Sequence, residues 1–372
     1  MLLATGASAL VAIGLILAVV RPAARSTSPR PTANEHPTSP PRQLQNTVPL
    51  DVTAQLSLGA NEATAMTVSP GVVWLATQGA TAGATGTLIR VDATNAHKTA
   101  SWPVGGDPVA VAAGGDYVWV ANGMGDGSVT QAMQSTVEQF EQATGALVNS
   151  YRLQDPRGLV ANPASALVIS GEPGQRTAIS LLAGGHAQLL TTLPGTLNVP
   201  LSSLSPEVAV AVCTDQAFVA LTSVLTSSSN VAIYSLPSGG GPVRKVATIA
   251  NDYEASMACD IDSLFVIGAA GNGDVSVARV SIAKGTVTNL WEGPYPVAVA
   301  SMTGRIWIAY SDDSLNQSFL TSLDPVTGLA AAARSVLPPP PSSGDPNLLV
   351  PGDSGLWLVA SLGNELLHIA TN

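Results

Sequence analysis

Charge is scarce in this chain. Asp, Glu, Lys and Arg supply 11% of its 372 residues, against roughly 25% in an average soluble domain. Histidine occurs four times and cysteine twice. Two separated cysteines without clustered histidines argue against a structural zinc site. No Gly-x-Ser-x-Gly elbow occurs, so no serine hydrolase is signalled. His36 lies in an amino-terminal polar stretch, His97 and His186 fall on turns, and His368 falls in a strand. None is placed for acid–base catalysis, and all four read as solvated or structural. Basic residues form no cluster. Four arginines and Glu35 are the charged residues of the first 50, so positions 51–372 hold 11 basic and 24 acidic groups, a formal charge of −13. Such a body repels nucleic acid and anionic lipid, and nucleic-acid binding is excluded as a function class.

A long apolar run opens the chain. Met1 to Val20 contains no charged side chain. As a helix it is roughly 30 Å long, about the hydrocarbon thickness of a bilayer. Residues 1–20 are therefore read as one transmembrane anchor. Arg21-Pro22-Ala23-Ala24-Arg25 fits a signal-peptide cleavage site poorly, and no cysteine follows for lipid attachment. The arginines lie after the run, which by the positive-inside rule puts the rest of the chain in the cytoplasm. The Ser/Thr/Pro stalk and the scarcity of lysine favour the outside, and an extracytoplasmic placement at the cell membrane is the expectation. Residues 21–50 are read as a Pro/Ser/Thr-rich linker, reaching ~90 Å at about 3.1 Å per residue if extended.

From residue 51 one motif returns: a large residue among aliphatics just after a turn. It reads Val73-Trp74-Leu75, Val118-Trp119-Val120, Leu167-Val168-Ile169, Phe218-Val219-Ala220, Phe265-Val266-Ile267, Ile306-Trp307-Ile308 and Leu356-Trp357-Leu358. Spacings of 41 to 51 residues between strand-rich repeats are the mark of a β-propeller. The fold expected for 51–372 is all-β, a seven-bladed β-propeller of four-stranded blades. The seventh repeat ends at Asn372 before a fourth strand. Val52 to Gly59 resembles the outer strand of blade 1, Thr99 to Gly105. An amino-terminal strand within 51–59 is thus expected to complete blade 7 and close the ring, protecting edges an open ring would expose. The tryptophans of the motif read as packing between blades.

Propeller sites usually lie at the channel on the upper face, built by the D–A and B–C loops. The candidate ligand-binding residues there are Asp107, Asp126, Asp155, Arg157, Asp252, Glu254, Asp312 and Asp345, with Glu62, Asp274 and Asp313 nearby. Aspartates in such loops serve first as turn formers. Gathered at a channel mouth, they would also select cationic ligands or a hard divalent metal, Ca or Mg. Cys213 and Cys259 occupy equivalent positions in blades 4 and 5, which invites a disulfide in an oxidising compartment. It requires Cα atoms within about 7 Å, a separation neighbouring inner strands reach only near one end of the channel. Three long upper loops, 122–134, 195–205 and 338–346, are where binding usually resides.

Residues 108–122, Pro-Val-Ala-Val-Ala-Ala-Gly-Gly-Asp-Tyr-Val-Trp-Val-Ala-Asn, and their weaker copy at 296–310 resemble the repeats of the YVTN, NHL and virginiamycin B lyase-like propellers. The resemblance spans 51–372 and implies the seven-bladed fold. Its lyase members imply a magnesium ion and a catalytic histidine near the top of the channel, where this chain has none. Pyrroloquinoline-quinone propellers need a tryptophan recurring in the outer strand, where only Trp102 and Trp291 occur, so no organic cofactor is expected. Two function classes stand. One is a membrane-tethered, non-catalytic module binding a protein, peptide or cell-wall ligand on its upper face. The other is a metal-dependent lyase or hydrolase using upper-face carboxylates.

Overall fold

The computed structural model describes residues 46–59, 61–79, 84–123, 135–171, 176–196, 208–213, 216–225, 228–237, 242–250, 256–269, 275–293, 296–312, 317–331, 333–337, 348–360 and 364–371. The anchor expected at 1–20 and most of the linker expected at 21–50 lie outside them. Among the described residues no helix is long and apolar enough to cross a membrane.

Seven sheets form the unit from Gln43 to Asn372. In each, strands A to D run outward and pair antiparallel, and they follow chain order except in blade 7, whose outer strand comes from the amino-terminal segment. Blade 1 shows the pattern with Ala63–Ser69, Val72–Thr77, Thr85–Asp92 and His97–Gly106. The A strands of the other blades are Pro108–Gly114, Pro156–Asn162, Val208–Cys213, Ser256–Cys259, Pro296–Met302 and Leu348–Pro351. Each A strand contacts those of the blades on either side, and that of blade 7 meets that of blade 1. The chain is a seven-bladed β-propeller. Its short A–B and C–D turns lie on one face, called lower here, and the D–A and B–C connections on the other.

Strand B carries the core because both of its faces are covered. Val73, Trp74 and Leu75 are fully buried, as are Val118, Trp119 and Val120. Alternate side chains of a strand point to opposite faces, so the triad divides between two interfaces. Trp74 packs with Val111, Val118 and Val120 of blade 2, whereas Val73 and Leu75 pack with Trp357 and Val359 of blade 7. Every blade keeps this order, the middle residue facing the next blade and its flanks the preceding one. The rule corrects the sequence register in three blades. The residues equivalent to Trp119 are Leu167, Phe218 and Phe265, each packed with its own or the following blade. The structural triads are therefore Ala166-Leu167-Val168, Ala217-Phe218-Val219 and Leu264-Phe265-Val266, one residue earlier than the sequence motif suggests. Hydrophobic size alone missed this because Leu167-Val168-Ile169 is uniformly aliphatic.

Hydrogen bonds lock the lower face. Within a blade, the C–D turn donates a backbone N–H to an A–B turn carbonyl, as in Ala93 to Gly71 (3.1 Å), Gln142 to Asp116 (2.7 Å) and Ile282 to Asp262 (3.0 Å). Asp92 and Asp324 open their C–D turns by accepting N–H and hydroxyl bonds from Thr94 and Thr327. Those bonds hold both carboxyls below the usual carboxylate range. Between blades, the turn glycine lies against the outer strand of the preceding blade. A methyl group at Gly285 or Gly328 would overlap the carbonyl oxygen of Val246 or Leu290.

The amino-terminal segment adds two strands. β1 (Asn46–Val48) lies parallel to Ala333–Val336, making blade 6 five-stranded. This strand falls inside the stretch read from sequence as linker. β2 (Val52–Ser57) lies antiparallel to Glu365–Ala370 at the outer edge of blade 7. Its Thr53 hydroxyl shares a 2.5 Å hydrogen bond with Nδ1 of His368. The His368 ring, 8% exposed, packs on Trp357 with centroids 4.6 Å apart. Burial pushes its pKa below the ordinary histidine value.

Candidate binding face

Four candidate upper-face residues are described: Asp107, Asp155, Arg157 and Asp312. Asp126, Asp252, Glu254 and Asp345 lie outside the described residues, as do Asp274 and Asp313 and most of the three long loops.

Glu62, Asp107 and Asp155 occupy equivalent D–A junctions. Each offers its backbone carbonyl to the N–H of the residue that follows strand B: Gln78 (2.8 Å), Gly123 (2.9 Å) and Gly171 (3.2 Å). The junction must turn sharply to do this. Asp107 and Asp155 hold φ of 58° and 40°, the left-handed region that Asp tolerates better than most residues. The proline that follows opens strand A in blades 2 and 3 and loses only an N–H that the ladder does not need. The local sequence thus builds the mouth of the channel before any ligand is considered.

The side chains are engaged as well. Asp107 accepts from Gln78 Nε2 at 3.2 Å. Oδ2 of Asp155 accepts from both Nε and Nη2 of Arg157, at 2.8 and 2.6 Å. Both partners are largely shielded, with side chains 4% and 11% exposed. Asp155 is therefore a neutralised, buried carboxylate, not a bare wall of an acidic funnel. Its other oxygen lies on the side of Gly123 of blade 2. Asp312 ends strand B of blade 6 and is 6% exposed. It lies three blades from Arg157, and the structure does not bring these two together. Among the described residues no group of three His, Cys, Asp or Glu side chains is placed to hold a metal ion.

One polar group at this end was not singled out from sequence. Asn122, 2% exposed, donates to Thr136 Oγ1 and Glu138 Oε2, both at 3.2 Å. Glu138 also accepts the N–H of Gly105 from blade 1 at 3.2 Å. Oδ1 of Asn122 has no protein partner. The sequence signal was present, a polar residue ending an apolar strand, but the same pattern marks ordinary loop starts.

The two cysteines meet at the lower end of the channel. Cys213 and Cys259 form a disulfide between adjacent inner strands, with Cα atoms 5.8 Å apart. Blades 4 and 5 approach closely enough there because small residues line the contact, Ala209 and Ala211 among them.

No family model matches the sequence, and no curated protein matches it. Solved structures match its fold. The β-propeller domain of Cps50 (Swd1) from Myceliophteria thermophila aligns with a TM-score of 0.58 at 10% identity, covering 87% of this chain and 100% of that one. Sqt1 of Saccharomyces cerevisiae gives 0.53 at 7%, with the same coverage. The propeller domain of the trilobed protease from Pyrococcus furiosus, described as having an open velcro topology, gives 0.52 at 10%, covering 83% and 94%. At such identities the likeness establishes the propeller fold and nothing finer.

Proposed function

We propose that this chain is a membrane-tethered, extracytoplasmic β-propeller that binds a protein or peptide ligand, or a cell-wall ligand, on its upper face without catalysing a reaction. In this reading residues 1–20 anchor it and β2 closes the ring, and the likeness of the repeats at 108–122 and 296–310 to those of the YVTN, NHL and virginiamycin B lyase-like propellers supports it. The observation that carries the non-catalytic assignment is the engagement of the described upper-face groups in the ring itself. Oδ2 of Asp155 is committed to a buried 2.6 Å ion pair with Arg157, which tempers the carboxylate as a base or metal ligand. The inter-blade disulfide supports export, since such bonds persist in oxidising compartments.

The test is thermal unfolding of the purified protein in EDTA and then in excess calcium or magnesium, followed by photocrosslinking in intact membranes. A metal that binds only the folded state raises the midpoint. An unchanged midpoint, with a discrete adduct from a photoreactive residue at Thr85 on the upper side, is the expected result. A metal-dependent rise of several degrees would overturn the non-catalytic reading in favour of the lyase or hydrolase class.

A further inference from the structure

We propose that the outer edge of blade 6 is a docking strand: an extended segment of a partner protein, with one aspartate or glutamate beside Arg334, adds there in parallel in the place that β1 holds in the free chain. The site lies on the rim, apart from the upper face, and does not rest on the reading given above.

Two observations converge. The first is how little holds β1. Ala333–Val336 is the shortest of the described outer strands, and it pairs with the strand inside it only at Phe319–Val336 and Leu320–Ser335. β1 adds to its free edge as a parallel strand, Asn46 beside Ala333, Thr47 beside Arg334 and Val48 beside Ser335. This edge therefore accepts an added strand, which is how an extended peptide joins a sheet. The β1 side chains are all exposed, so backbone bonds are what this strand contributes. β2 joins blade 7 through its own ladder with Glu365–Ala370. β1 can therefore leave without opening the ring.

The second observation is a cation without a counter-ion at that edge. The guanidinium carbon of Arg334 lies 3.8 Å from the centre of the Phe319 ring, and Nη1 donates to the Tyr310 hydroxyl at 3.2 Å. Its Nε is buried and has no hydrogen-bond partner among the described residues, and no carboxylate among them pairs with the guanidinium. A shielded guanidinium without an anion costs free energy that a carboxylate would offset. Charged residues on outer strands ordinarily blunt an edge by standing out into solvent, as the exposed Lys98 and Arg244 do. Arg334 instead folds back on an aromatic ring and leaves the edge open. Arg90 of blade 1 also has an unpartnered Nε, but its strand is covered by His97–Gly106, so no added strand can pair beside it.

Register selects the occupant. Side chains of paired residues leave a sheet on the same face. An acidic residue where Thr47 now stands would therefore meet Arg334 and accept charge-assisted hydrogen bonds from it. A second copy of this chain would bring Thr47 there and no carboxylate. Positions 51–372 carry a formal charge of −13, so a polyacidic segment would be repelled. The segment that fits is an extended run with one carboxylate among uncharged residues.

The experiment uses the full chain carrying Asn46→Pro and Thr47→Pro. Successive N–H groups of a strand point to opposite sides, so the two prolines remove a ladder donor whichever of them faces Ala333–Val336. The probes are fluorescein-labelled peptides of residues 44–50, either unsubstituted or carrying Thr47→Glu or Thr47→Lys. Fluorescence anisotropy should show the Thr47→Glu peptide binding about tenfold more tightly than the unsubstituted one, and the Thr47→Lys peptide binding more weakly than either. The chain with β1 intact should bind the Thr47→Glu peptide more weakly than the proline variant does. Adding Arg334→Gln should abolish the preference for the acidic peptide, with the melting midpoint verifying the fold. Equal binding of the peptides, a preference that survives Arg334→Gln, or no binding to the proline variant overturns the proposal. If Arg334→Gln itself fails to fold, the ranking of the acidic, neutral and basic peptides on the chain that keeps Arg334 decides. A ligand on the upper face alters none of these readouts, so the two proposals fail separately.

Discussion

Replacing both cysteines, Cys213→Ala with Cys259→Ala, tests how the blades are held. The disulfide bridges residues 46 apart in sequence. In the chain-entropy account it removes freedom from the unfolded state, and a loop of that size corresponds to about 4 kcal/mol at 25 °C. The packing between blades 4 and 5 does not reduce this figure, because the effect acts on the unfolded chain. Unfolding entropy near 2.1 cal/mol/K per residue over the unit Gln43–Asn372 gives about 0.7 kcal/mol/K. The midpoint should therefore fall by about 6 °C in scanning calorimetry without reductant. Fully reduced wild type should melt within about 2 °C of the variant, since both then lack the cross-link. The reasoning is refuted if oxidised wild type and the variant melt together, or if the denatured, unreduced protein alkylates at two thiols.

Three further outcomes follow from named contacts. Gly328→Ala should cost about 2–4 kcal/mol in denaturant unfolding, because a methyl there overlaps the Leu290 carbonyl and φ is +71°. Gly304→Ala, with φ +70° and open space, should cost about 1 kcal/mol; equal losses would refute the docking role of the C–D turn. Arg157→Ala should destabilise by about 3–5 kcal/mol by leaving the Asp155 carboxylate buried and unpaired, and Asp155→Leu with Arg157→Leu should recover most of it; a neutral single variant would show the pair to be solvated. The third outcome concerns pH. Because burial holds the folded pKa of His368 below 6.5, the unfolded chain binds more protons as pH falls through the unfolded value. Its contribution is complete above about pH 6.5 and is lost on acidification toward the folded pKa. The midpoint should drop between pH 7.5 and 5.5 by more in the wild type than in His368→Gln, and equal slopes would place the sensitivity elsewhere.

The propeller was legible because its signal is redundant. Each blade repeats a turn, a buried strand B and a second turn, so errors in one repeat are outvoted by the others. Local register was not so secure. In blades 3 to 5 the residue facing the next blade is Leu167, Phe218 or Phe265, and aliphatic neighbours of similar size hid which member of the motif that was. β1 was invisible from sequence, since Asn46-Thr47-Val48 has no buried side chain and its pairing partner lies nearly 300 residues away.

At the channel mouth the division is similar. Residue type and turn grammar marked Asp107 and Asp155 as junction residues, because Asp before Pro favours a sharp turn wherever it occurs. Composition likewise argued against nucleic-acid binding and histidine chemistry, since net charge and residue counts do not depend on folding. Only the tertiary structure decided which groups meet. Arg157 neutralises Asp155, Asn122 joins Glu138 and the backbone of blade 1, and Asp312 stands three blades from Arg157. It also decided that Cys213 and Cys259 lie 5.8 Å apart, because the spacing of neighbouring blades is set by the side chains packed between them and not by either cysteine's place in its own repeat.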